Sequence, residues 1–178
     1  IGVLIILAGE ILASIPAILW WPLLAGVAMG SPLGPHFVSL IVYLQGALWY
    51  LFFNLLVYGL ASMRREVEEM AKVYRLKGLW YWRNVFVPFL MPSLASGALS
   101  AWGGAWNASI AAEYVILGER AIDLGGAGAL LNKLTLKGDY AGVAYCALLL
   151  SLVIVIVNKT FWRRIFEWIE EKYGGGVE

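Results

Sequence analysis

Residues 84–112 read NVFVPFLMPSLASGALSAWGGAWNASIAA, a run of 29 residues without one Asp, Glu, Lys or Arg. A helix needs about 20 apolar residues to cross the roughly 30 Å hydrocarbon core of a bilayer. This run therefore crosses once, with turns to spare. Two further stretches free of those four residues flank it, His36–Leu60 and Tyr140–Asn158. Composition agrees: of 178 residues 61% are hydrophobic and 14% charged, with a mean hydropathy of +0.77. Soluble domains carry about 25% charged residues. The chain therefore reads as an all-α, polytopic membrane protein. Its net charge of +1 gives no case for nucleic acid.

Outward from the three clean runs, Ile15–Met29 is a shorter stretch containing Trp20-Trp21 and two prolines, Pro16 and Pro22. It is expected to be a tilted or broken fourth span. Ile1–Ala13 resembles the tail of a fifth, truncated at its N-terminus, because the chain opens without Met inside an apolar run. Residues 1–178 are thus expected to form one transmembrane domain of about five spans. The turn Gly30-Ser31-Pro32-Leu33-Gly34-Pro35 separates two of them by chain-breaking chemistry. Cys146 lies alone in an apolar run, so no disulfide framework exists within the chain.

The charges collect near span ends, and Lys/Arg asymmetry sets orientation. Between Leu60 and Asn84 stand Arg64, Arg65, Lys72, Arg75, Lys77 and Arg83; after Asn158 stand Lys159, Arg163, Arg164 and Lys172. The segment Glu113–Asp139 has only Arg120, Lys133 and Lys137, against four acids. Loop 61–87 and the C-terminal tail are therefore expected in the cytoplasm of a cell-membrane protein. Glu113–Asp139 is expected to face outward or dip into the outer leaflet, and the parity of the spans is consistent with this.

Within the loop, Val67, Met70, Ala71 and Tyr74 fall on one helical face. Glu68 and Lys72 make an i,i+4 pair in the favourable order. Lys77-Gly78 is expected to end that helix, since Gly accepts the left-handed C-cap conformation. A second short segment, Leu79–Phe86, leads to Pro88. The expectation is a knob of two short helices around a Gly turn. The tail, residues 158–173, sets Phe161, Trp162, Ile165, Phe166, Ile169 and Tyr173 opposite Arg163, Arg164, Glu167, Glu170 and Glu171. That pattern reads as an amphipathic helix lying at the membrane interface, fraying at Gly174-Gly175-Gly176.

In the run that opens this section, Ser93, Gly97, Ala101, Ala105 and Ser109 recur every fourth residue, and so do Ser96, Ser100, Gly104, Ala108 and Ala112. Small-residue ladders let neighbouring backbones approach in lipid. Trp102, Trp106 and Asn107 lie on the same helix, Glu113 ends it, and Asn54 lies in the preceding span; these five are candidates for a translocation path. For Glu113 the alternatives are a gating carboxylate and an ordinary interfacial one. Asn54 and Gln45 are expected to hydrogen-bond between helices. His36 has no second His or carboxylate near it in sequence, which gives no metal site.

Glu69, Ala71 and Val85-Phe86-Val87-Pro88 keep the spacing of the cytoplasmic EAA loop (E-A-A-x3-G-x9-I-x-L-P). In this the chain resembles permeases of binding-protein-dependent ABC importers. Met70 stands at the second motif position and Arg75 where that family has Gly; Gly78 is expected to take over the turn. Ile15–Leu24, Val87–Pro92, Ala112-Glu113-Tyr114 and the glycine-rich Asp123–Gly128 resemble segments of the nitrate/sulfonate/taurine group, over roughly residues 10–165. The resemblance implies a type I (MetI-like) importer fold and two permease units, a second copy or a homologous half. It also implies a separate ABC ATPase and an extracytoplasmic solute-binding protein. The solute would be a small anion of the nitrate, sulfonate or taurine type. ATPase docking would fall on Glu69, Ala71, Arg75, Gly78, Leu79 and Trp80. No cofactor is implied.

Two rival classes lack support in the residues. A secondary transporter or channel would need ionisable groups inside its spans for ion coupling, and the three clean runs have none. An enzyme would need a nucleophile–base pair, a metal cluster or a phosphate loop; none is visible, so no residue is assigned a catalytic role.

Overall fold

The structure is a computed structural model describing residues 2–60, 63 and 65–173. The side chains of Arg65, Glu66 and Glu68 lie outside the description, and with them the expected Glu68–Lys72 pair; Arg64 and the glycines at 174–176 lie outside it too.

The chain is mostly helical. Helix α1 (Gly2–Ala13) is followed by a 3-10 turn (Ala17–Leu19) and two short helices, α2 (Trp20–Leu23) and α3 (Ala25–Gly30). Helix α4 (Gly34–Phe53) then runs through a π-helical turn (Asn54–Gly59). The loop helix α5 (Arg65–Val73) comes next. A short helix α6 (Gly78–Tyr81) passes through a π turn (Trp82–Phe86) into α7 (Val87–Glu113). An antiparallel hairpin, β1 (Tyr114–Leu117) with β2 (Arg120–Asp123), precedes α8 (Ala127–Leu136). Helix α9 (Tyr140–Val157) passes through a third π turn (Asn158–Trp162) into α10 (Arg163–Tyr173).

Among the described residues three helices are long and apolar enough to cross a membrane: Gly34–Gly59, Gly78–Glu113 and Tyr140–Tyr173. A fourth crossing exists only if α1 and Ala17–Leu23, bent by 76° at the break, count as one span. Of the about five spans expected, the described residues account for three or four. Pro16 and Pro22 explain the difference, since proline cannot continue a helix through its own missing N–H. The stretch Ile15–Met29 is accordingly cut into pieces of three, four and six residues. The all-α expectation also needs correcting, because Glu113–Asp139 contains the hairpin as well as α8.

Helices α4 and α7 form the central pair, packed antiparallel. A Cβ on Gly97 would meet Leu51 and Asn54, while Gly46 faces Gly104 and Ala108, and Gly59 faces Leu90 and Ser93. The seam thus runs through Ser93, Gly97, Gly104 and Ala108, crossing from one sequence ladder to the other. The reason is angular: four residues advance about 400° around a helix, so a strict four-residue ladder drifts off any straight contact line. At the end of this pair, Trp21, Ala28, Val38, Val42 and Ala112 form a buried core. Trp21 is 0% exposed, and its indole N–H donates to the carbonyl of Ala111 at 2.7 Å. Gln45 does bridge helices, donating to the carbonyls of Leu12 and Ile15 at 2.8 and 2.9 Å. Asn54 does not: its amide donates to Tyr50 of its own helix.

Two expected junctions are absent. Leu79–Phe86 is no separate helix but the first turns of the 36-residue helix Gly78–Glu113. Likewise the tail continues α9 directly; the π turn buries Trp162 and α10 buries Ile169, with Phe166, Ile169 and Glu170 lining a cleft against Pro92 of α7.

Candidate functional site

Glu113 is the last residue of α7, and its side chain is held from three sides. One carboxylate oxygen accepts the hydroxyl hydrogen of Tyr43 from α4. The other accepts the backbone N–H of Gly128 at 2.6 Å and of Ala129 at 3.3 Å. The carboxylate therefore caps the start of α8, where unpaired amides and the helix dipole both favour negative charge. The main-chain carbonyl of Glu113 accepts the N–H of Leu124 at 2.9 Å. One residue thus ties α4, α7, the hairpin and α8 together. Neither alternative expected for Glu113 includes this bracing role.

The glycine-rich segment is shaped to fit that carboxylate. Gly126 has φ +100°, and a Cβ there would lie 2.5 Å from the Glu113 carboxylate carbon. A Cβ on Gly128 would run into the main chain of α7 at Ser109 and Ile110. Asn132 fastens the same contact, donating to the carbonyl of Ile110 at 2.8 Å. In the adjoining hairpin, Lys133 pairs with Asp123. That ammonium and then the N–H of Gly125 hold the Asp123 carboxyl below its usual range.

Beside the brace, Tyr43, Trp102, Ala105, Trp106, Ser109 and Glu113 line a cleft of about 240 Å³. The two indoles stack edge to face, with ring centroids 5.6 Å apart. Of the five candidate path residues, Trp102, Trp106 and Glu113 come together here; Asn54 and Asn107 do not. Asn54 borders Gly97 at the α4–α7 seam, and Asn107 is exposed on α7. Ala101, also on α7, is half-buried. Tyr43 went unrecognised in the sequence because it lies 70 residues from its partner, and no local signal links the two.

The loop forms the other end of the long helix. Helix α5 ends in a Schellman arrangement: Leu76 N–H donates to the Ala71 carbonyl at 2.9 Å and Arg75 N–H to that of Lys72 at 3.1 Å. Arg75, at the motif's glycine position, has φ +53°. The turn therefore remains at Arg75 and has not moved to Gly78, which starts α6 with φ +61°. Such a conformation costs a residue with Cβ roughly 1–2 kcal/mol. Ala71 is buried, and with Lys72, Leu76, Lys77, Gly78 and Tyr81 it lines a shallow cleft. The expected apolar face of α5 is split, Ala71 turning inward and Met70 and Tyr74 outward. Val73, Leu79 and Trp80 are 78%, 84% and 62% exposed. Glu69 is exposed as well.

A family model described as "Binding-protein-dependent transport system inner membrane component" matches residues 5–167. Among curated proteins, the chain is 27% identical over 106 residues to the nitrate import permease protein NrtB of Leptolyngbya laminosa. It is 28% identical over 106 residues to the protein of that name from Synechococcus elongatus. Each match covers 60% of this chain and 36% of the relative's length. No solved structure matches the chain significantly.

Proposed function

The chain belongs to the binding-protein-dependent transport system inner membrane components, and from that premise we propose that it is the permease subunit of an ATP-driven ABC importer. It forms part of the solute path and couples to a separate ATPase through the 64–86 loop. Glu69, Ala71, Arg75, Gly78, Leu79 and Trp80 supply the docking surface, with the loop and the C-terminus in the cytoplasm. A second permease unit and an extracytoplasmic binding protein complete the assembly. The solute is a small anion, in line with the nitrate permeases it resembles.

One observation carries this reading. The bare apolar tip at Leu79 and Trp80 sits on the same continuous helix that ends at the braced Glu113 and the Trp102–Trp106 cleft. Closure of an ATPase pair against such a tip acts directly on a membrane-spanning helix rather than through a separate loop. That is what alternating access requires, because a conformational change follows only from differential contacts in its two states. The test is co-purification of the chain with its ATPase, with and without Gly78→Trp. Wild type should retain the ATPase and the variant should lose it. Solute uptake into vesicles holding the chain but no ATPase would sink the proposal.

A further inference from the structure

At the elbow between α9 and α10, Thr160, Phe161, Arg164, Ile165 and Trp168 line an open groove of about 530 Å³. Arg164 has no hydrogen-bond or ion-pair partner among the described residues, whereas its neighbour Arg163 is bound to Glu167 at 2.7 Å. The Thr160 hydroxyl donates to the carbonyl of Ile156. Phe161 and Trp168, which line the groove with Arg164, are large half-exposed rings, and Lys172 lies 4.8 Å from the centroid of the Trp168 ring.

We propose that this groove holds the phosphodiester headgroup of an anionic phospholipid. Three observations converge on that occupant. First, the charges are graded along the helix. Lys159, Arg163 and Arg164 come directly after the apolar run, and the acids Glu167, Glu170 and Glu171 follow only beyond them. Cations nearest the bilayer and acids farther away suit an anionic lipid surface, where each Lys or Arg is worth about 1 kcal/mol. Second, the helix that leads into the groove, α9, exposes Leu149, Leu152, Val153 and Ile156, and its only buried residue is Cys146. A headgroup at Arg164 thus has an apolar track for its acyl chains. Third, Trp168 and Phe161 are the side-chain types that settle at headgroup level, an apolar body with (in Trp) a polar edge. The inference rests on the chain crossing a bilayer and not on an ATPase partner, so loss of ATPase binding would leave it standing.

The test uses the full chain purified from bilayers containing phosphatidylglycerol and phosphatidylcholine, with bound lipid counted by native mass spectrometry. Wild type should retain phosphatidylglycerol in preference. Arg164→Gln should reduce that retention about fivefold, the equivalent of one interfacial cation. Arg164→Lys should keep most of it, and Lys137→Gln, at the other end of α9, should change nothing. Equal retention of both lipids, or undiminished phosphatidylglycerol in Arg164→Gln, overturns the proposal. So does inorganic phosphate raising the melting temperature as much as the anionic lipid does, which would mark a general anion site. A protein seated on the groove, detected by cross-linking from residue 164, overturns it as well.

Discussion

Where the helix Gly78–Glu113 ends, a carboxylate takes three donors and ties that helix to two others, α4 and α8. Where it begins, Leu79 and Trp80 are exposed and the turn before them carries strain at Arg75. The first end is complete within one chain. The second leaves Leu79 and Trp80 bare, and apolar patches that meet water mark interaction sites. The contrast separates what the chain needs to fold from what it presents to others. Substitutions at the two ends should therefore fail in different assays.

The largest effect is expected at the braced end. Glu113→Ala removes the acceptor from the Tyr43 hydroxyl and from two amides of α8, and should cost about 3–5 kcal/mol. Thermal unfolding in lipid nanodiscs measures this. Glu113→Gln keeps one acceptor oxygen and should cost less than half as much. Equal losses for the two would mean that the charge, not the hydrogen bonding, holds the brace. Next come two adjacent glycines on α7. A Cβ on Gly104 would collide with the main chain at Gly46, whereas nothing lies within 4 Å of one on Gly103. Gly104→Ala should cost about 2–4 kcal/mol by forcing α4 and α7 apart. Gly103→Ala should gain up to about 1 kcal/mol from helix propensity. If both behave alike, the seam lies elsewhere.

At the bare end the expected signature is inverted. Leu79→Ser with Trp80→Ser should move stability by no more than about 0.5 kcal/mol, as for exposed positions generally. In a pull-down the same variant should lose the ATPase. Unfolding of that variant would show that the tip packs within its own chain. The smallest effect is expected for Arg75→Gly. Relief of the left-handed backbone, less the extra entropy glycine brings to the unfolded chain, should stabilise by about 0.5–1 kcal/mol.

The sequence made the long apolar elements legible, because a charge-free run of 20 or more residues has few other uses. It also marked the loop, through spacing and charge. It did not reveal that Leu79–Phe86 belongs to α7, since a charged residue such as Arg83 inside a helix looks like a boundary when hydropathy is the guide. The three π turns were invisible for another reason. Each widens the helix for one turn without altering residue composition, although Asn54, Asn84 and Thr160 sit in them and bond to the carbonyl four residues back. Glu113 was legible as an anomaly but not as a brace. Its partners Tyr43 and Gly128 lie on other elements, and only folding puts them in reach. The glycines at 126 and 128 were read as part of a family pattern. Their reason is steric: one makes room for a carboxylate and the other for a neighbouring backbone.

One further consequence concerns where the long helix can yield. At roughly 1.5 Å per residue, 36 residues span about 54 Å, nearly twice the hydrocarbon thickness. Its hydrogen-bond ladder is disturbed at the π turn Trp82–Phe86 and again at Pro92, which has no N–H to give. Beyond Pro92, from Ser93 to Glu113, the helix carries no further proline or wide turn, and it is pinned along the seam and at its end. Compliance is therefore confined to the part of the rod up to Pro92, roughly its first two-fifths. Bending there would let Trp80 swing while Trp102, Trp106 and Glu113 travel as one block, so the elbow of the rod lies at its exposed end and not at its braced one.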